Sequence, residues 1–124
     1  MSLKQYFEGA KGVGILSTAD AGGKVDAAIF AKPHFLEDGS IAFIMRDRLT
    51  HHNLQSNPHA NYLFKEEGPG YEGKRLSLTK LKEEKNSEQL LSLQRRKPSN
   101  NSIEDRFLVF FSLDIERPLV GDGK

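Results

Sequence analysis

The sequence contains no cysteine and no tryptophan, and its formal charges nearly cancel. The absence of cysteine excludes disulfides, thiolate nucleophiles and cysteine-ligated metal sites. Because 18 Lys and Arg residues face 17 Asp and Glu residues, the net charge is only +1, which argues against a polyelectrolyte. A cysteine-free chain also favours a cytoplasmic protein over a disulfide-stapled secreted domain.

Long apolar runs are lacking as well. No stretch approaches the roughly 18 apolar residues of a transmembrane helix, and residues 1–8 lack the basic and apolar regions of a signal peptide. A length of 124 residues predicts one domain over residues 1–124. Since only 37% of the residues are hydrophobic, a protomer can build only a modest core, and we expect a homodimer to complete it.

Alternating apolar residues separated by turn signals predict a mainly β fold with helical additions. Strands are expected near residues 13–18, 25–32, 41–46, 60–64, 75–81 and 106–115. Most of their connections are short, which favours antiparallel pairing, and closure would remove exposed strand edges. The predicted architecture is a six-stranded antiparallel β-barrel.

Capping signals predict three short helices. Apolar residues at helical spacing indicate the first helix over residues 3–10, and Thr50 is the expected N-cap of a second helix that stops at residues 57–58. Asn86, with Gln89 at the capping-box offset, is expected to begin a third helix that residues 97–98 end.

The longest apolar stretch, residues 106–115, is expected to be a strand partly covered on both faces. One face would carry Phe107, Val109, Phe111, Leu113 and Ile115, and the other Leu108 and Phe110.

The segment from Arg46 to Thr50 is the strongest candidate for a binding site. A strand there delivers Arg46 and Arg48 into a loop, and a helix starts at a hydroxyl residue. Guanidinium groups, a threonine hydroxyl and the N–H groups at a helix N-terminus together suit a phosphate monoester. The alternative is that Thr50 only caps the helix while both arginines are solvated, and the residues alone favour this alternative because caps are common.

The spacing in this region resembles that of a known family. Residues 53–58 read Asn-Leu-Gln-Ser-Asn-Pro, and the residues before and after them suit a polar loop and a strand. In this order the segment resembles the FMN-binding split-barrel family related to pyridoxamine 5′-phosphate oxidase. Residues 12–18, 37–39 and 71–76 extend the resemblance over most of residues 5–82. The resemblance implies a split β-barrel that binds FMN, as a homodimer with the flavin at or near the subunit interface.

The resemblance also implies roles for individual residues. The strand that lines the flavin ring in the family would correspond to Ala27, Ala28, Ile29, Ala31 and Lys32. The phosphate of FMN would be held by Arg48, Thr50 and His51, with help from Arg46. No catalytic side chain is expected from the sequence, because the flavin itself would carry out the redox chemistry.

Departures from the family pattern argue against two of the activities found in the family. Pyridoxamine phosphate oxidases carry an Arg-Lys pair where this chain has Leu49 and Thr50, and they use a Trp-containing C-terminal segment. Relatives that bind or degrade haem use a C-terminal histidine, whereas the last histidine here is His59. Both of these activities are therefore disfavoured.

Three functions remain as alternatives. The first is an FMN-dependent oxidoreductase acting on an unidentified small molecule or a nicotinamide donor, and the second is a flavin-binding electron carrier without a substrate. The third is a single-stranded nucleic-acid-binding barrel that would use Lys74, Arg75, Lys80, Lys82 and Lys85. The net charge of +1 makes a nucleic-acid partner the weakest of the three.

Other polar clusters predict no further site. The four histidines lack the spacing of metal ligands, so no metal site is expected. Residues 66–67 and 83–84 are acidic pairs bracketed by lysines, and we expect their carboxylates to be solvated rather than to act as general bases.

Overall fold

A seven-stranded antiparallel sheet organises the chain in a computed structural model, which describes residues 2–94 and 104–121. The elements, in chain order, are α1 (Leu3–Gly9), β1 (Gly12–Ala19), β2 (Val25–Ile29), β3 (His34–Phe35), β4 (Ile41–Arg46), α2 (Leu49–Ser56), β5 (His59–Glu66), β6 (Gly73–Lys85), α3 (Glu88–Leu93) and β7 (Arg106–Pro118). Every strand pair is antiparallel, as predicted from the short connections.

The spatial order of the strands is β2-β1-β5-β6-β7-β4-β3, so β2 and β3 form the two edges of the sheet. These edge strands follow each other in the chain, and residues 30–33 run from one to the other. The Tyr62 hydroxyl faces this connection from β5, 3.2 Å from the carbonyl oxygen of Phe30 and 3.1 Å from that of Ala31. A tyrosine from the core therefore holds the start of the connection between the two edge strands.

The predicted mainly β architecture is confirmed, with one strand more than the expected six. The additional strand is β3, whose two residues pair with β4 and are too few to show an alternating pattern. The predicted strand over residues 25–32 ends earlier, at Ile29, because residues 30–33 carry the chain to β3 at the opposite edge of the sheet. Strand β6 is longer than expected and pairs with β7 through two irregularities, between Ser77 and Leu78 and between Lys80 and Lys82.

An aromatic core fills the inner side of the sheet. Tyr62, Phe43, Phe64 and Phe111 are almost completely buried there, and Phe7 of α1 closes one end. Gly14 makes room for this packing, because a Cβ atom at this position would overlap the Tyr62 hydroxyl. Helix α1 is fixed by a capping box in which Ser2 and Gln5 bond reciprocally.

Strand β7 is covered on both faces over its first half, as its sequence predicts. Phe107, Val109 and Phe111 join the main core, while Leu108 and Phe110 form a second cluster with Ala42 and Leu90 on the other side. Coverage is less complete in the last part of the strand, where Leu113 and Ile115 are 38% and 45% exposed.

Two helix starts differ from the prediction. The N-cap of α2 is Arg48 rather than Thr50, which lies within the first turn. Helix α3 has Ser87 as its N-cap instead of Asn86, whose φ of 49° places it in the left-handed region. The predicted end of that helix at residues 97–98 lies outside the described residues. Among the helices of the described ranges, none is long and apolar enough to cross a membrane.

Candidate functional site at the junction of β4 and α2

Helix α2 joins the two regions in which the sequence predicts cofactor contacts. It begins three residues after the end of β4, and the rest of the helix packs on the β1–β2 hairpin. There the amide of buried Asn53 donates to Thr18 Oγ1 over 3.1 Å, and the Asn57 amide donates to the carbonyl oxygen of Asp20 over 3.4 Å. The two asparagines of the Asn-Leu-x-x-Asn-Pro segment therefore fix the helix to the hairpin.

Arg46 and Arg48 lie together around the carboxylate of Glu104. Arg46 Nη1 is 3.2 Å from Glu104 Oε2, and Arg48 Nη2 is 2.6 Å from Glu104 Oε1. Pairing of Arg46 with Arg106 in the β4–β7 ladder brings Glu104 to this end of β4. The hydrogen bond from Arg48 holds the pKa of Glu104 below its usual value, and the same bond raises the pKa of Arg48. The structure thus brings together the two arginines among the predicted phosphate ligands, with an acidic partner between them.

His51 is buried, with 6% of its surface exposed. Its ring stacks on Phe107 at a centroid distance of 3.8 Å. Nδ1 lies 2.9 Å from Asp47 Oδ1, and Nε2 lies 3.0 Å from Glu83 Oε2. Since both ring nitrogens face carboxylate oxygens, His51 ties the first turn of α2 to β6 rather than presenting a nitrogen to a phosphate.

Glu83 is the centre of this network and is not the solvated carboxylate that the sequence predicts. Its side chain, 23% exposed, lies 2.7 Å from the Lys80 amine and 2.9 Å from the Gln55 amide. Burial alone would raise the pKa of Glu83, but the hydrogen bonds from Gln55, Lys80 and His51 outweigh it and lower the pKa to about 2. Glu66 also departs from the prediction, because it accepts a hydrogen bond from the Tyr6 hydroxyl.

Thr50 lies on the inner side of the first turn of α2, with 5% of its surface exposed. Its hydroxyl makes no hydrogen bond within the part of the chain that the structure describes, and no fully buried polar side-chain atom there lacks a partner. The hydroxyl is therefore not fully enclosed by the described residues. Because no described side chain caps α2, the first N–H groups of the helix also lack a side-chain acceptor.

Strand β2 carries three of the residues predicted to line a flavin ring: Ala27, Ala28 and Ile29. It pairs only with β1 within the described ranges, so its other backbone edge is unpaired. Ile29 is 79% exposed, and Val25 on the same face is 78% exposed. A strand with small side chains, an open edge and exposed apolar residues is suited to contact with a flat ligand or a second subunit.

Ala31 and Lys32 lie beyond the end of β2, in the connection to β3. The amine of Lys32 donates to the carbonyl oxygen of Ala10 at the end of α1 over 2.8 Å. Lys32 also lines a half-open cavity of about 470 Å³ beside Phe7 and Phe35. Its amine is thus directed toward α1, unlike the exposed side chains of β2.

Four residues that shape the junction were not predicted to lie there: Asp47, Gln55, Glu83 and Glu104. Asp47 and Gln55 lie four residues before and after His51, a spacing that brings side chains together on a helical turn and could have indicated the contacts. Glu83 and Glu104 reach the junction only through the pairing of β6, β7 and β4, so no local pattern points to them. Asp47 and Glu83 lie on opposite sides of the His51 ring, and no described group of His, Asp and Glu converges on a metal position.

Comparisons with known proteins identify the fold. No protein-family model matches the sequence, and no curated protein matches it. Among solved structures, an FMN-binding protein from Syntrophomonas wolfei superposes with a TM-score of 0.77 at 14% identity, covering 95% of this chain and 84% of that protein. The chain has the FMN-binding split-barrel fold.

Other solved structures with the split-barrel fold are named for different ligands or activities. A candidate pyridoxamine 5′-phosphate oxidase from Lactobacillus delbrueckii gives a TM-score of 0.66 at 12% identity, covering 94% of this chain and 91% of that one. A heme-binding protein from Mycobacterium smegmatis gives a TM-score of 0.59 at 17% identity, covering 95% of this chain but only 52% of its own length. Since these proteins share the split barrel and differ in what they are named for, the fold alone does not determine the ligand.

Proposed function

We propose that this split barrel binds FMN, with the phosphate at the β4–α2 junction and the isoalloxazine ring along β2. The observation that carries the proposal is the pair Arg46 and Arg48 beside the N-terminus of α2, which no described side chain caps by a hydrogen bond, in a fold shared with an FMN-binding protein. Guanidinium groups and helix N–H groups are the donors that phosphate oxygens prefer.

The junction fits a phosphate in both charge and access. The side chains of Arg46 and Arg48 are 49% and 62% exposed, so both can reach a ligand without unfolding of the sheet. Thr50 adds a hydroxyl next to the N–H groups of the first helical turn. In this arrangement Arg48 and Thr50 bind the phosphate, Arg46 assists, and His51 positions the turn.

The edge strand β2 fits the polar rim of a flavin ring. Its unpaired backbone N–H and C=O groups can donate to and accept from the ring, and Ala27 and Ala28 leave room for a close approach. Tyr62 holds the following residues through the carbonyl oxygens of Phe30 and Ala31. The ring would thus be oriented mainly by backbone groups.

The activity that we propose is that of an FMN-dependent oxidoreductase acting on a small molecule or a nicotinamide donor. Bound FMN supplies hydride or single-electron transfer. The chain supplies phosphate anchoring by Arg46, Arg48 and Thr50 and orientation by β2. The alternative, an electron carrier without its own substrate, predicts no saturable turnover of reduced nicotinamide with an artificial acceptor.

A homodimer that buries the outer face of β2 is part of the proposal. The strand registers place Ile29, Ile15 and Leu63 side by side across β2, β1 and β5 on that face. Val25 and Val13 are exposed on the same face and enlarge this apolar surface. Burial of such a surface favours association. Analytical ultracentrifugation of the protein and of an Ile29→Ser variant tests it, since a monomeric wild-type chain would contradict the dimer.

The nucleic-acid alternative loses support from the ion pairs of the basic residues on β6. Lys74 pairs with Glu116, Lys80 with Glu83 and Lys85 with Asp105, which neutralises the cations that a phosphodiester backbone would need.

The test of the proposed function is the visible spectrum of the purified protein, followed by titration with FMN, riboflavin, a deazaflavin cofactor and haem. We expect a yellow protein, or one that binds FMN more tightly than riboflavin. A protein that binds neither flavin would contradict the proposal, and selective binding of haem or the deazaflavin would replace FMN as the ligand.

A further inference from the structure

Glu104 occupies the cationic position in which the FMN phosphate is proposed to bind. One carboxylate oxygen lies 2.6 Å from Arg48, and the other lies 3.2 Å from Arg46. Within residues 2–94 and 104–121, these are the only ion pairs that either arginine makes. A phosphate that uses the same two guanidinium groups must therefore displace Glu104 or share them with it.

Glu104 contacts the two arginines in the way that a bound phosphate would. Each oxygen of Glu104 accepts from a different arginine, which is the way in which two oxygens of a phosphate monoester would use the same donors. A phosphate monoester brings a third oxygen and close to two negative charges at neutral pH. It can also accept from the helix N–H groups. It should therefore outcompete a carboxylate that has one charge and two oxygens.

We propose that Glu104 is an internal competitor that holds Arg46 and Arg48 until a phosphate monoester displaces its carboxylate. The inference rests on the proposed position of the FMN phosphate. Glu104 would also affect which anions bind, because an anion with a single charge would not displace its carboxylate from the arginines. The residue would make the junction selective for phosphate monoesters over carboxylates.

The charges of the pair support this role. The hydrogen bond from Arg48 lowers the pKa of Glu104, and the same bond raises the pKa of Arg48. Both groups are therefore charged at neutral pH, where the phosphate of FMN is also largely a dianion. The competitor is present under the conditions in which the ligand would bind.

The decisive experiment compares Glu104→Gln with Asp105→Asn. Both variants remove one negative charge, but Asp105 is bonded to Lys85 and Asn86 instead of the two arginines. Binding of FMN and riboflavin is measured by flavin fluorescence for each variant and for the wild type, and thermal melting verifies that all three are folded. We expect Glu104→Gln to bind FMN about three- to tenfold more tightly, the size of two exposed ion pairs, with riboflavin unchanged.

Two results would overturn the inference. One is an FMN affinity that Glu104→Gln leaves unchanged or weakens. The other is an equal gain in both variants, because that would reflect long-range charge instead of release of the arginines.

A second measurement separates this inference from the proposed function. The ¹³C carboxylate signal of Glu104 is followed by NMR while inorganic phosphate is added to the wild-type protein. If the protein binds no flavin but phosphate shifts this signal and binds more tightly to Glu104→Gln, the proposed function fails and the competitor role stands. If flavin binds and the Glu104 signal does not respond to phosphate or FMN, the competitor role fails and flavin binding stands.

Discussion

The β4–α2 junction and strand β2 differ in how far their polar groups are already engaged. At the junction, Arg46 and Arg48 pair with Glu104, and His51 is held between Asp47 and Glu83. Strand β2 instead has one backbone edge without a strand partner among the described residues and two largely exposed apolar side chains. A ligand at the junction meets side chains that already have partners, whereas a ligand at β2 adds contacts to an open surface.

This difference predicts that mutations can distinguish the ligand contacts at the junction from those at β2. At the junction, side chains of Arg46, Arg48 and Thr50 supply donors beside the helix N–H groups, so removing one of these side chains should affect phosphorylated ligands alone. Backbone groups provide the contacts at β2, so disturbing that strand should affect every ligand that carries the ring.

The largest expected effect is that of Arg48→Ala on FMN binding. A charge-assisted hydrogen bond contributes about 1.5 to 3 kcal/mol, so FMN should bind roughly ten- to a hundredfold more weakly, with riboflavin unaffected. Fluorescence titration with both flavins measures the ratio. Arg117→Ala is the matched control, because Arg117 contacts Ser77 away from the junction and carries the same charge. Equal losses for both flavins would place the phosphate elsewhere.

Removal of the Glu83 carboxylate should change stability in acid. The folded-state pKa of Glu83 is about 2 against an ordinary value of 4.5, so its stabilisation is fully present above pH 4.5 and is lost as the pH falls toward 2. Glu83→Gln should therefore lower the free energy of unfolding by about 1 to 2 kcal/mol at pH 7 and remove this part of the acid dependence.

Urea unfolding between pH 2 and 7 measures the effect of Glu83→Gln. Glu84→Gln is the control, because Glu84 lies next in the chain and makes only a 4.0 Å ion pair with Lys82. An identical acid dependence in the wild type and Glu83→Gln would show that the network does not stabilise the junction.

Tyr62→Phe tests strand β2 and the residues that follow it. The variant keeps the ring in the core but removes the hydroxyl that faces the carbonyl oxygens of Phe30 and Ala31. We expect a loss of about 1 kcal/mol in unfolding free energy and a similar weakening of FMN and riboflavin, because β2 and the residues after it would be less ordered. A loss confined to FMN would contradict the assignment of the ring to β2.

Much of the fold follows from local patterns, but less of the site does. The alternation of β7 correctly predicts that Phe107 and Leu108 are buried on opposite faces, since period-two burial is a property of the strand itself. The grouping of Arg46, Arg48 and Thr50 also follows from their closeness in sequence. Glu104 comes from 56 residues beyond Arg48, and only the β4–β7 register brings it there.

The smallest expected effect is that of Thr50→Val, which separates a ligand hydroxyl from a structural one. Valine has nearly the same shape and fits the buried position of Thr50, so the melting temperature should change little. A neutral hydrogen bond contributes about 0.5 to 1.5 kcal/mol, which predicts a roughly two- to tenfold weaker affinity for FMN. The affinity for riboflavin should not change. Thr79→Val is the control, because the Thr79 hydroxyl donates to Asp114 on the outer face of the sheet. If Thr50→Val lowered stability without changing the FMN to riboflavin ratio, Thr50 would serve the helix alone, and the phosphate would depend on the arginines and the backbone of α2.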